Sequence, residues 1–202
     1  MKRTTMVTIT AALIAAAGGC FHLFPPRIAL EPLGTIGLVQ FRSEAKGKIA
    51  EYATQVFLEV LLKSQPGARI KELGREDDVL QDIDANRLSP QALEALRQRF
   101  GVDALIFGRL DASDIKPRVD LATIISTLSV GAEVNALLTA RLVDTRYGTT
   151  LWTDSARDRQ TVAEVSVVKG GGIFFDARDP EQAYGSLIRS LVRRATRDFQ
   201  WR

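Results

Sequence analysis

From Ser89 to Leu110 the chain reads SPQALEALRQRFGVDALIFGRL, a helix followed by a strand, with the boundary of each marked in the sequence. A serine followed by Pro90 is typical of a helix start, because the hydroxyl caps free N–H groups and proline fits the first helical position. Gly101 suits the left-handed residue that ends a helix. The apolar face of this helix comprises Leu93, Leu96 and Phe100. The apolar run from Val102 to Leu110 then predicts a buried central strand.

The preceding sequence predicts a strand, a helix, a second strand and a short helix. Thr35 to Phe41 is an apolar run typical of a buried strand. Glu44 to Gln65 has apolar residues at helical spacing, namely Ile49, Ala53, Phe57, Val60 and Leu61. Pro66-Gly67 breaks that helix, Ala68 to Leu73 predicts the second strand, and Arg75 to Ile83 predicts the short helix. The order βαβααβ indicates an α/β domain.

The second half of the chain changes to a period of two. Even positions from Ala122 to Leu142 are mostly apolar and most odd ones are polar, which favours strand. A strand of that length exceeds the usual five or six residues, so we expect it to bend, bulge or fold back, with Gly131 as the natural place. A helix beginning at Pro117 is the alternative, because several apolar residues also fit helical spacing.

The remaining segments predict a hairpin, two short strands and a final helix. Asp144 to Gly148 has turn chemistry, and Thr149 to Ala156 returns as a strand. Val162 to Val168 and Ile173 to Ala177 predict short strands around a glycine-rich turn. Pro180 to Phe199 predicts a helix whose inward residues are Leu187, Ile188, Leu191, Val192 and Ala195.

Cys20 is the only cysteine of the 202 residues, and it ends a segment typical of a bacterial lipoprotein signal. Lys2 and Arg3 precede an apolar stretch from Met6 to Ala17, which is shorter than the ~20 residues of a spanning helix. We therefore expect residues 1–19 to be a signal peptide and Cys20 to be lipidated. The alternative is an ordinary secretory signal with an unmodified thiol.

The Cys20 prediction divides the chain into three parts. Residues 20–33 contain Pro25, Pro26 and Pro32 and predict an extended lipidated tether. Residues 34–202 are long enough for a single domain with a substantial core. From Cys20 onward the chain carries 25 basic and 24 acidic side chains, so its charge indicates no nucleic-acid partner.

The residue inventory argues against catalysis. His22 is the only histidine and lies beside the predicted anchor, so neither a Ser-His-Asp site nor a zinc site of His and Cys is expected in the domain. The acidic residues Asp77, Asp78, Asp82 and Asp84 lack the glycine and terminal glutamate of a calcium loop. The pair Asp176 and Asp179 has no cleft signal around it. We expect no catalytic, cofactor-binding or metal-binding residues.

Four arginines lie at helical spacing on the predicted final helix: Arg189, Arg193, Arg194 and Arg197. The simplest interpretation is a solvated face. The alternatives are contact with anionic headgroups or with an acidic partner subunit. Trp152 and Trp201 are expected in the core, with a membrane interface as the alternative.

Two motifs resemble a known family. Gly101 to Leu110 reads GVDALIFGRL, and Ala140 to Trp152 reads ARLVDTRYGTTLW; the pair is similar to that of the CsgG-like outer-membrane lipoprotein family. The strand at Ile36 to Phe41 and the segment Glu72 to Glu76 stand upstream in the family's order. Tyr147 occupies a position where the family usually has threonine.

The resemblance implies an anticodon-binding-domain-like α/β fold, a mixed sheet with flanking helices on the periplasmic face of the outer membrane. The family includes the curli secretion channel, PelC and LpoB-type proteins, none of them an enzyme. It implies a ring-forming structural component of a secretion, export or envelope-assembly complex. Its partners would be the bilayer through acylated Cys20, further copies, and other envelope or export proteins. The alternative is a regulator that docks on and activates a periplasmic cell-wall enzyme.

The curli channel inserts two segments as membrane hairpins, which correspond here to Ser113 to Asn135 and Arg157 to Asp179. A spanning strand needs about 9 to 11 alternating residues. Ala122 to Leu138 satisfies the alternation, whereas the second segment offers strands too short to cross. We favour a ring that stays periplasmic, with a membrane pore as the alternative.

Overall fold

The computed structural model describes residues 27–118, 131–162, 165–168, 172–175 and 179–200. The five strands of the main sheet are β1 (Thr35–Gln40), β3 (Arg69–Arg75), β4 (Ala104–Arg118), β5 (Gly131–Asp144) and β6 (Thr150–Val162). A small sheet contains β2 (Lys46–Gly47), β7 (Val165–Val168) and β8 (Gly172–Phe175). The helices are α1 (Ile49–Ser64), α2 (Glu76–Gln81), α3 (Pro90–Phe100) and α4 (Pro180–Ala195), with 3₁₀ turns at Glu31–Leu33 and Arg197–Phe199.

The main sheet is mixed, with strand order β3-β1-β4-β5-β6. β1 pairs in parallel with β3 and β4, whereas β4, β5 and β6 form an antiparallel meander. β4 is the middle strand, which confirms the prediction made from Val102 to Leu110. The predicted α/β class, a mixed sheet with flanking helices, is also confirmed.

Both predicted end signals of α3 are present. The Ser89 hydroxyl accepts a hydrogen bond from the Ala92 N–H at 3.2 Å. Gly101 has φ of 67°, the left-handed conformation that costs glycine little, and its N–H donates to the Arg97 carbonyl. These contacts satisfy main-chain groups that the helix itself leaves free.

The sheet is covered on both faces at the β3-β1-β4 side. On one face α1 packs against β1 and β4 while α4 packs against β5 and β6, around a core that includes Phe57, Leu138 and Leu191. On the other face α2 and α3 contribute to a smaller core with Leu105 and Val143. The five residues predicted to face inward on the last helix are all fully buried: Leu187, Ile188, Leu191, Val192 and Ala195.

Gly108 allows the close approach of β4 to its neighbours. A Cβ at this position would stand 2.5 Å from the Thr139 carbonyl oxygen and 3.0 Å from the Phe41 ring. No side chain fits at those distances without a shift of the main chain of β5. The glycine of the sequence motif therefore has a packing role.

Two boundary predictions are wrong for a tertiary reason. α1 begins at Ile49 and not at Glu44, because Lys46 and Gly47 form β2 and pair with β8. β4 runs to Arg118, past the predicted end at Leu110, because the meander continues to pair with β5. Local propensity is overridden by strand pairing in both places.

One further boundary prediction in the second half is wrong: β6 runs to Val162, past the predicted end at Ala156 and through the predicted start of the next strand, because it continues to pair with β5. β5 begins at Gly131 and continues the alternating pattern, while the part of the run before it lies outside the described residues. Pro117 belongs to β4, so the alternative helix does not begin there. β7 and β8 form the predicted short antiparallel pair around the glycines.

The last part of the predicted tether packs against the domain. Leu30 is fully buried, and its N–H donates to the Gln65 side-chain oxygen at 2.7 Å. The Gln65 amide nitrogen donates to the carbonyls of Ile28 at 2.6 Å and Phe199 at 3.0 Å. The packed chain thus begins before the predicted domain boundary at residue 34. Residues 1–26, including the predicted signal peptide, lie outside the described part.

Candidate interaction surfaces

The sequence-predicted lipidation site, Cys20, lies outside the described residues, as do His22 and Trp201. Trp152 is buried and packs edge-on against Phe199, with ring centroids 4.5 Å apart. It therefore belongs to the core, as expected.

Two of the acidic residues considered in the sequence analysis have structural partners. Asp77 pairs with Arg42 at 2.8 Å, and Asp179 caps α4 by accepting from the Gln182 N–H at 3.2 Å. No group of three metal-ligating side chains occurs among the residues that the structure describes. Asp176 is outside that part of the chain.

One open cleft, of about 620 Å³, lies at the carboxyl ends of β1 and β3. This is where ligands bind in many open α/β sheets. Arg42 bridges Glu76 at 3.0 Å in addition to Asp77, and Arg109 bridges Glu44 and Asp111, both at 2.5 Å.

Those ion pairs determine the charge balance of the cleft. Burial raises the pKa of the Glu76 carboxyl, and the positive charge of Arg42 partly opposes that effect. Because each of these arginines already faces carboxylates, the cleft has no surplus charge for an ionic ligand. Its lining includes neither histidine nor cysteine to serve as a base or nucleophile.

A second surface is the face of β4, β5 and β6 opposite α4. Side chains here are exposed or half-buried, and they are chiefly polar: Leu137, Thr139, Arg141, Thr153, Ser155 and Arg157. Phe107 lies half-buried on this face, with the Arg141 guanidinium 5.7 Å from its ring centre. β6, which is 13 residues long, forms one edge of the five-stranded sheet. This part of the sheet presents both a face and an edge for association.

A third surface is the outer face of α4, which carries the four arginines noted in the sequence. We call it the arginine stripe; its members are Ser186, Arg189, Ser190, Arg193, Arg194 and Arg197. All but Ser190 are exposed, and Ser190 is half-buried. A shallow depression of about 380 Å³ is lined by the first five of them. Sequence spacing alone was sufficient to find this surface.

Asp158 of β6 lies beside the stripe and is held ionised. Burial acts to raise its pKa. Hydrogen bonds from the Ser190 hydroxyl, the Arg159 N–H and the Gln160 amide, together with the charge of Arg194, outweigh burial, so the pKa is lowered. The Arg194 guanidinium is 3.8 Å from the carboxylate. This acid compensates one arginine and leaves the rest of the stripe basic.

The described helices include none that is long and apolar enough to span a bilayer. No family model matches the chain, and no curated protein matches its sequence.

Solved structures of low sequence identity share the mixed α/β fold. The PelC dodecamer from Paraburkholderia phytofirmans is 16% identical with a TM-score of 0.50, covering 88% of this chain and 94% of that one. Lipoprotein GNA1162 from Neisseria meningitidis is 20% identical with a TM-score of 0.40, covering 63% and 83%. The LpoB C-terminal domain from Salmonella enterica is 12% identical with a TM-score of 0.40, covering 65% and 96%. The likeness supports a PelC-type fold and does not extend to CsgG specifically.

Proposed function

We propose that this protein is an outer-membrane lipoprotein, anchored through Cys20 and facing the periplasm, that acts as a structural component of an export or envelope-assembly complex. In this proposal copies of the domain associate side by side into a ring. The signal-like segment before Cys20 supports the proposed location at the outer membrane. The fold shared with the PelC dodecamer supports the assembly.

The main support for a ring is the side of the sheet formed by β5 and β6. Among the residues that the structure describes, no helix covers the outer face of β5 and β6 or the edge of β6 as α2 and α3 cover the other side. A long edge strand is a template for association unless the protein covers it. A contact between two different surfaces of one chain generates a closed ring when the rotation between copies closes.

The proposal includes no enzymatic activity. The cleft at β1 and β3 is occupied by paired arginines and carboxylates, and no described side chain there has the chemistry of a nucleophile with its base. Surfaces for association are what a scaffold requires, and the described part of the chain offers them.

The test is the mass of the full-length protein extracted from membranes in mild detergent. Light scattering or native mass spectrometry should give one homogeneous assembly of many chains. A mass equal to that of a single processed chain would exclude the ring and favour the alternative, a regulator that docks on a periplasmic cell-wall enzyme.

A further inference from the structure

The arginine stripe lies on the side of α4 opposite the buried face of the helix. Its members recur three or four residues apart, so they share one side of the C-terminal part of α4, and Arg197 continues that side in the 3₁₀ turn that follows. The opposite side, with Leu187, Ile188, Leu191 and Val192, is fully buried. Because that side packs into the core, the direction in which the stripe faces is fixed.

Much of the stripe's charge is uncompensated. Arg189 pairs with Glu181, and Arg194 reaches Asp158. Arg193 forms no ion pair with any residue that the structure describes, and Arg197 contacts the main-chain carbonyl of Arg194. The Arg194 guanidinium also donates a hydrogen bond to the main-chain carbonyl of Arg157 on the neighbouring β6, at 3.0 Å.

The chain enters the domain beside the C-terminal end of this helix. Ile28 donates its N–H to the Asp198 carbonyl at 3.0 Å, and Arg27 pairs with the Asp198 carboxylate at 3.5 Å. Arg27 follows Cys20 by seven residues. At about 3.3 to 3.6 Å per residue, that segment spans at most about 25 Å. An acyl anchor on Cys20 would therefore hold this end of α4 close to the headgroups.

The chemistry of the stripe suits phosphate. Hot spots of protein interfaces combine arginine with buried tryptophan and tyrosine, whereas the depression on α4 is open and lined by serine and arginine alone. The planar guanidinium binds phosphate oxygens through two parallel hydrogen bonds.

We propose that the arginine stripe of α4 rests on anionic phospholipid headgroups and orients the domain against the membrane. The proposal takes the short anchor at Cys20 from the proposed function, and it is independent of ring formation. A polybasic surface next to an acyl chain is a known second signal for stable membrane attachment. The stripe would supply orientation as well as affinity.

The test separates the stripe from the anchor by using the full chain with Cys20→Ser. Its flotation with vesicles of phosphatidylglycerol and phosphatidylethanolamine is compared with flotation on vesicles of neutral lipid alone. The apolar segment before residue 20 binds both kinds, so the measured quantity is the ratio of the two partition coefficients.

Arg189→Gln with Arg193→Gln should lower that ratio roughly tenfold or more, since each basic residue near an anionic surface contributes about a kcal/mol. The matched control is Arg69→Gln with Arg99→Gln, two exposed arginines that form no ion pair with a described residue; it makes the same change of net charge. The control should keep the ratio of the parent.

Three results would overturn the proposal: an unchanged ratio in the stripe variant, an equal loss in the control, or a parent that shows no preference for anionic vesicles. Arg193→Gln alone provides a second variant, because it breaks no ion pair and should still lower the ratio severalfold. Failure of lipidation at Cys20 would be seen separately, as loss of acyl labelling in the wild-type chain with the vesicle preference retained.

Discussion

The main-chain N–H of Ile28 donates a hydrogen bond to the carbonyl oxygen of Asp198, 170 positions later in the chain, at 3.0 Å. The two ends of the described domain therefore meet beside Trp152 and Phe199. The segment that leads from the predicted anchor is part of the fold from this point onward.

Gln65 should be the residue that holds this entry segment. Its side chain makes three hydrogen bonds to main-chain groups of Ile28, Leu30 and Phe199, and it is only 7% exposed. Gln65→Met keeps the volume but leaves those groups without partners, so the free energy of unfolding should fall by about 2–4 kcal/mol. Urea unfolding of the non-lipidated Cys20→Ser chain measures it. Gln91→Met, on an exposed helical surface, should change it by less than about 0.5 kcal/mol; equal effects would refute the role of Gln65.

Gly108→Ala should destabilise the meander. The added methyl meets the Thr139 carbonyl and the Phe41 ring, both too close for a carbon atom. We expect a loss of about 1–3 kcal/mol in unfolding free energy, typical of overpacking. Gly67→Ala is the matched control, because its methyl meets only the exposed side chain of Glu31, which can move. If both variants unfold at the same urea concentration, the packing argument is wrong.

Asp158 should contribute stability that depends on pH. Its folded-state pKa lies below the ordinary value of 3.8, so the folded chain binds fewer protons than the unfolded chain. The contribution is complete above that ordinary value and is lost as the pH falls through the folded pKa. The free energy of unfolding should therefore drop less between pH 6 and pH 3 in Asp158→Asn than in the parent. The control Asp82→Asn, at an exposed site, should keep the parent's drop; an unchanged drop in Asp158→Asn would contradict the assignment.

Cys20→Ser should abolish acyl labelling of the chain in its native host. The variant should shift out of the detergent-extractable outer-membrane fraction, since an acyl chain supplies most of the membrane affinity of such an anchor. Metabolic labelling with a fatty acid and density fractionation measure both effects. Retention of label in the variant would show that lipid is attached elsewhere.

The central strand, α3 and α4 were predictable because their signals are local. Ser89 and Gly101 mark helix ends through contacts within one turn, and the stripe on α4 follows from helical spacing alone. The start of α1 was not predictable, since Lys46 and Gly47 are taken into a sheet by β8, over 120 positions away. Local patterns hold no information about such pairings.

The entry segment shows the same limit. Its prolines favour an extended tether, yet Leu30 is buried because one glutamine satisfies the main chain around it. The ion pairs of the cleft are likewise invisible in sequence, because Arg42, Glu76 and Arg109 come from three separate elements. Surfaces on one helix could be predicted, whereas surfaces assembled from several strands could not.

The most direct test of the account is negative-stain microscopy of the full-length protein extracted from membranes in mild detergent. The account predicts closed rings with rotational symmetry, built from domains of this size. A homogeneous field of single domains, at concentrations where the extracted protein is stable, would contradict it.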